Sequence, residues 1–184
     1  MEVLTVRLFM KIMILSDSHS MTKQTLLNFI NQHPADYYIH CGDIYMPYSP
    51  LEIDNFYNVR GNNDFADIPK DLTLTIDGLN FFICHGHLFH IDESMYDLEQ
   101  YALNHIIDVV CFGHSHNPTC YKKENTLFIN PGSVTFPRGN YPHPTYCIFD
   151  TENHEVQFYD LKENQPCNPF EVKKKESFFK RFFK

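Results

Sequence analysis

Five short polar motifs each follow an apolar run: Asp17-Ser18-His19, Gly42-Asp43, Gly61-Asn62-Asn63-Asp64, His85-Gly86-His87 and Gly113-His114-Ser115-His116. Apolar runs such as Val109–Phe112 read as buried strands. Alternate side chains of a strand point the same way, so His114 and His116 are expected to project together if extended geometry continues past the run. Asp, His and Asn offer hard or borderline donor atoms. No Cys stands in these slots, which disfavours a thiolate zinc site. Two carboxylates and several neutral nitrogens suit a pair of divalent cations with one carboxylate shared between them. Singly, D-x-H and H-x-H are weak signals, because a strand-end His is more often a surface or capping residue. Five such motifs in order are hard to obtain by coincidence.

The elements that must carry these motifs follow from hydrophobic period and turn chemistry. Ile12–Leu15 reads as a buried strand. Residues 21–33 carry Leu26, Leu27 and Ile30 at helical spacing. Two further strands end in Gly42-Asp43 and Gly61-Asn62. Leu72–Ile76 alternates strictly, Asp77-Gly78 turns, and Leu79–Cys84 runs on, which predicts a hairpin. Met95, Leu98, Ala102 and Ile106 are spaced like one helix face. The segments VVCFGHSH, TLFINPGS, TYCIFD and VQFYDL supply the remaining strands. Strand and helix alternate first and strands dominate later, so a mixed α/β domain with two sheets is expected. Every polar motif falls at a strand end, where α/β folds gather ligands.

The 184 residues fit one domain with a substantial core, and 43% of them are hydrophobic. A net charge of −8 argues against general nucleic-acid binding. Six cysteines form no C-x-x-C pair, and Cys41, Cys84, Cys111 and Cys147 sit in strand-like runs, as expected of small buried residues in a reducing, cytoplasmic compartment. Met10 opens a natural chain start, so the domain is expected over residues 10–165, with 1–9 an upstream extension rather than an edge strand. Residues 166–184 form a tail. Its end, EVKKKESFFKRFFK (171–184), is basic and Phe-rich. It reads either as a frayed tail or as an amphipathic contact with anionic lipid or a neighbouring subunit of a homo-oligomer.

The ordered motif set resembles the calcineurin-like metallophosphoesterases, in particular their small single-domain bacterial and archaeal phosphodiesterase branch. The resemblance spans roughly residues 11–160, and Asn130-Pro131-Gly132-Ser133 is a further match. It implies a four-layer α/β/β/α sandwich with two mixed sheets. It implies one metal held by Asp17, His19, Asp43 and His116 and a second by Asp43, Asn62, His85 and His114, with Asp43 bridging. The ions would be manganese first, with iron, zinc, nickel or magnesium as alternatives. A water between them would ionise near neutral pH, and the resulting hydroxide would attack a small phosphodiester. The rival expectations are a nucleotide or phosphomonoester hydrolase and a non-catalytic protein-binding adaptor on the same fold.

One position departs from that pattern. Asn63 stands where many relatives have His and others Cys. An amide donates a hydrogen bond but is no general acid, so Asn63 is expected to orient substrate rather than protonate a leaving group. His87 is the candidate substitute, or simply a rim histidine. Arg138 reads either as a phosphate-binding guanidinium or as a surface residue. Asp64 is expected to orient a ligand histidine or to cap the following turn. Tyr45, Phe65 and Phe89 lie near motif loops and read either as walls of a pocket or, the first expectation, as core.

Overall fold

A computed structural model describes residues 9–45 and 53–171. Residues 1–8 and the basic stretch 172–184, on which the extension and tail expectations fall, lie outside the described residues.

The chain runs through β1 (Lys11–Leu15), α1 (Lys23–Gln32), β2 (Tyr37–His40), β3 (Phe56–Asn58), β4 (Asp71–Ile76), β5 (Leu79–Cys84), α2 (Tyr96–Asn104), β6 (Val109–Cys111), β7 (Thr119–Lys123), β8 (Thr126–Asn130), β9 (Thr145–Asp150), β10 (Glu155–Asp160) and β11 (Gln165–Cys167). One sheet has the order β11-β10-β9-β1-β2-β3 and the other β4-β5-β6-β8-β7. Both are mixed. β1, β2 and β3 are parallel, as are β5, β6 and β8; the first set is joined on one side by antiparallel β9, and the second is flanked on both sides by antiparallel β4 and β7.

The strand period explains the layering. Ile12 and Ile14 of β1, with Cys147 and Phe149 of the neighbouring β9, face the other sheet, where they meet Phe81 and Ile83 of β5 and Val109 and Cys111 of β6. Met13 and Leu15 point the other way and pack with Leu26 and Ile30 of α1. Phe82 and Val110 cover the second sheet's outer face with Leu98 and Ala102 of α2. Three apolar clusters between four layers, two helical and two of sheet, make the expected α/β/β/α sandwich. Side chains fully buried on both faces, such as Ile12 to Leu15, are what a central parallel strand requires.

Local chemistry sets the boundaries. Thr22 caps α1 by accepting the Thr25 N–H at 3.1 Å. Asp77 (φ 49°) and Gly78 (φ 79°) both take the left-handed region, the condition for a two-residue hairpin turn between β4 and β5. Two differences from the sequence expectation stand out. Ile106 does not lie on the α2 face; the helix stops at Asn104, Ile106 turns out to solvent with φ 55°, and Ile107 is buried instead. Strands β7 and β11 were not expected. Both are sheet edges, and β11 runs past residue 165, with the Phe170 ring edge-on to Phe158 at 5.3 Å.

Candidate metal centre

All seven candidate ligands lie on loops that leave the C-terminal ends of β1, β2, β3, β5 and β6, where the two sheets meet. Asp17, Asp43, His85 and His116 are buried, His19 and His114 half-buried, and Asn62 exposed. The donor atoms of Asp17, His19 and His116 fall within 4.8 Å of one another, and so do those of Asp17, Asp43 and His85. Asp17 Oδ1 has His116 Nε2 at 3.2 Å, His19 Nε2 at 3.8 Å and His85 Nε2 at 3.9 Å. Asp43 Oδ2 faces His85 Nε2 at 3.4 Å and His19 Nε2 at 3.6 Å. Asn62 Oδ1 lies 3.0 Å from His85 Nε2. Asp17 is thus common to both close groups, a place the resemblance gave to Asp43 alone. Asp43 nonetheless faces a histidine of each group.

The backbone that delivers these side chains is not strand. Five of the seven have positive φ: Asp17 55°, His19 21°, Asp43 54°, His114 67° and His116 57°. The expectation that His114 and His116 project together from extended backbone is therefore corrected. β6 ends at Cys111, and both histidines take left-handed backbone; His116 turns its Nε2 to Asp17, whereas His114 turns its Nε2 to Asp92 and lies outside both close groups. Such conformations cost on the order of 1 kcal/mol or more each and need support from their surroundings. Hydrogen bonds between loops supply it. Asp17 N donates to Gly42 O, His19 N to Asp43 O, Gly113 N to His85 O and His114 N to Asp17 Oδ2. Ser133 and Thr135 hydroxyls both donate to Asp17 O at 2.8 Å, which is where the Asn130–Ser133 motif enters.

The second layer fixes the tautomers. His85 Nδ1 lies 2.7 Å from Cys41 O, and His116 Nδ1 lies 2.7 Å from Phe136 O. A carbonyl only accepts, so both Nδ1 atoms carry hydrogen and both neutral rings turn an Nε2 lone pair inward. Asp17 Oδ1 consequently has no donor among the described residues although it is buried. Lone pairs converging in this way need positive charge between them. Titration points the same way. Burial raises the Asp17 carboxyl, but His116 and His85 outweigh it and leave Asp17 below its ordinary value. Asp43 is held well below the carboxylate range by His85 and Asn63 against burial. His85 and His116 are raised, their aspartate partners outweighing burial. The residues fit divalent cations.

Other expected residues fall into place differently. Asn63 donates to Asp43 and not into open space. His87 stands by the cluster, its ring 5.3 Å from that of His85. Burial, with the charges of His85 and His114, lowers it to about 4. Arg138 donates its backbone N–H to His116 O, and its side chain is exposed. Asp64 neither orients a histidine nor caps the next turn. Its carboxylate accepts N–H groups of Gly61, Asp43 and Tyr45 at 2.7–2.8 Å, tying two ligand loops together. Tyr45 and Phe65 are exposed (56% and 84%), contrary to a core role, whereas Phe89 packs beside the α2 layer. Sequence reasoning missed Asp92, which pairs with His114, and the fully buried His40, which bonds Ser18. Neither belongs to a repeated polar motif.

Comparison with known proteins shows the family. The calcineurin-like phosphoesterase superfamily domain matches residues 10–154. The chain belongs to that superfamily and is a metal-dependent phosphoesterase. It is 35% identical over 161 residues to the probable metallophosphoesterase YsnB of Bacillus subtilis, which covers 85% of this chain and 94% of that protein. It is 31% identical over 170 residues to the phosphodiesterase MJ0936 of Methanocaldococcus jannaschii, covering 80% and 97%. A Streptococcus pneumoniae structure described as a predicted phosphoesterase superposes with a TM-score of 0.78 at 27% identity, covering 84% of this chain and 91% of that one. Among the described residues no helix is long and apolar enough to cross a membrane.

Proposed function

We propose that the chain hydrolyses small phosphodiesters with two divalent ions, manganese foremost. Asp17, His19, Asp43 and His116 would hold one ion and Asp43, Asn62, His85 and His114 the other. The observation that carries this is the convergence of three imidazole Nε2 atoms on a buried Asp17 oxygen that accepts no hydrogen bond. Bound ions would supply positive charge for a phosphate and activation of water. Mixed oxygen and nitrogen donors without thiolate are compatible with manganese, as with iron, zinc, nickel or magnesium.

The protein's own groups have separable parts. Asp17 and Asp43 stay ionised at neutral pH. The Cys41 and Phe136 carbonyls hold His85 and His116 in the tautomer that presents Nε2. Asn63 steadies Asp43, and its amide reaches a substrate oxygen only by turning from Oδ2. The exposed Arg138 would pair with a non-bridging phosphate oxygen. His87, lowered to about 4, is unprotonated at neutral pH and supplies no proton to a leaving group.

The test is hydrolysis of aryl phosphodiesters and monoesters by metal-free protein supplied in turn with Mn, Fe(II), Zn, Ni or Mg, beside Asp43→Asn. Metal-dependent diester cleavage lost in Asp43→Asn is expected. Faster monoester than diester cleavage would favour a phosphomonoesterase. No cleavage with any ion would favour an adaptor.

A further inference from the structure

His114 differs from the other candidate imidazoles. His19, His85 and His116 turn Nε2 toward Asp17 and Asp43. His114 instead turns Nε2 to Asp92, whose Oδ2 lies 2.7 Å away. Its ring nevertheless stays against the cluster, 5.1 Å from that of His85, and its backbone N–H is held by Asp17 Oδ2 at 3.1 Å. An ionised carboxylate only accepts, so Nε2 of His114 carries hydrogen and the neutral ring keeps its lone pair on Nδ1.

The loop after His85 is built to deliver Asp92. Residues 87–89 form a single 3₁₀ turn, and His90 follows with φ 52°. Glu93 and Ser94 N–H groups both donate to His90 O. Between them Ile91 is buried in the α2 layer and packs directly over Gly86. With Ile91 anchored, Asp92 stands at the surface, its side chain 61% exposed and its Oδ2 against Nε2 of His114. One loop therefore carries a candidate ligand, His85, and the carboxylate that orients another ligand from a different strand.

We propose that Asp92 is a positioning residue of the metal centre, selecting the tautomer in which His114 ligates through Nδ1 and restraining its ring. This rests on His114 being a ligand. A carboxylate on the far nitrogen of a ligating histidine fixes ring orientation and raises basicity, and its loss typically costs about 10–100-fold in metal affinity. An ion pair this exposed adds little to folding, so truncating it should leave the melting temperature of the metal-free protein unchanged.

The experiment is calorimetric titration of metal-free full-length protein with Mn(II), comparing wild type, Asp92→Asn, Asp92→Ala, His114→Ala and the double alanine variant, with thermal melts of each. Asp92→Ala is expected to weaken one binding event about 10–100-fold. Asp92→Asn, whose amide oxygen still accepts from Nε2, should recover most of that loss. Asp92→Ala should add nothing once His114 is alanine. If His114→Ala binds like wild type, His114 is not a ligand and the proposal falls with that assignment. If His114→Ala weakens binding and Asp92→Ala does not, only the role of Asp92 is overturned. Equal losses in Asp92→Asn and Asp92→Ala, or additive losses in the double variant, also overturn it, because Asp92 would then act independently of His114.

Discussion

Asn63 grips Asp43 with both of its donors: its backbone N–H bonds Oδ1 at 2.8 Å and its side-chain amide bonds Oδ2 at 2.6 Å. The residue in the expected acid position is thus bonded to the carboxylate assigned as the bridge. Asp43→Ala is expected to abolish hydrolysis and release metal from both positions. Asn63→Ala keeps the backbone bond and should lose no more than about 10–100-fold in metal affinity, the range of an outer partner. Metal content and turnover measured together check the ranking, and equal losses contradict it.

On the proposed function the leaving group receives no proton from Asn63, and burial holds His87 down at about 4. The rate should therefore fall steeply as leaving-group pKa rises. Aryl diesters should be cleaved well and alkyl phosphomonoesters poorly. Asn63→His should raise rates for poor leaving groups by roughly 10²-fold. Single-turnover rates across a series of phenols are the measurement. A flat dependence there, unaffected by His87→Ala, would mean that another residue supplies the proton.

Two glycines leave room for the aspartates. A Cβ on Gly61 would sit 2.1 Å from Asp43 Oδ1, and one on Gly113 1.9 Å from Ser16 Oγ and 2.9 Å from Asp17 Oδ2. Gly61→Ala and Gly113→Ala are each expected to displace a carboxylate and lower Mn(II) affinity, readable by calorimetry in protein that remains folded by circular dichroism. Wild-type affinity in either variant would show that the loops relax at no cost to the site.

Buried His40 accepts the Gly42 N–H on Nδ1 and lies 3.0 Å from Ser18 Oγ through Nε2; burial lowers it from 6.5 to about 4. The folded protein thus refuses a proton that the unfolded chain accepts. Its stabilisation is complete above about pH 6.5 and is lost as pH falls toward 4, amounting to about 3 kcal/mol. His85 and His116, being raised, act with the opposite sign. They are common to wild type and His40→Gln, so they cancel in the difference. Metal-free His40→Gln should show a flatter dependence of melting temperature between pH 7 and 4, and parallel curves would refute the assignment.

Two sheets in a mixed α/β domain were legible because strand and helix alternate first and strands dominate later, and the four-layer stacking followed from the family resemblance; apolar runs such as those of β1, β5 and β6 fit strands covered on both faces. The candidate polar motifs were legible because they recur at strand ends in a fixed order, and their division between two ions came only from the family resemblance. What sequence did not disclose were features made by tertiary contact. Left-handed backbone at His114 and His116 depends on other loops holding it. Tyr45 and Phe65 looked like core by residue type, yet their loops lie at the surface. Asp92 is seven residues beyond His85 in no motif, and only the burial of Ile91 shows where it goes. The edge strands β7 and β11 are short and partly polar, and they exist because a neighbour offers free backbone groups.

Asp17, His19, Asp43 and Asn62 leave the sheet of β1, β2 and β3, while His85, His114 and His116 leave the sheet of β5 and β6. Neither half of the sandwich holds the full donor set, and the donors run from residue 17 to residue 116. Forming the site therefore closes chain loops of up to about a hundred residues, among the slow, non-local steps of folding. An ion that binds only the finished arrangement cannot nucleate it. Metal uptake by the refolding chain should then lag behind secondary structure and keep pace with the docking of one sheet on the other, making the ion a chronometer of the last step and a rivet across the seam once that step is done.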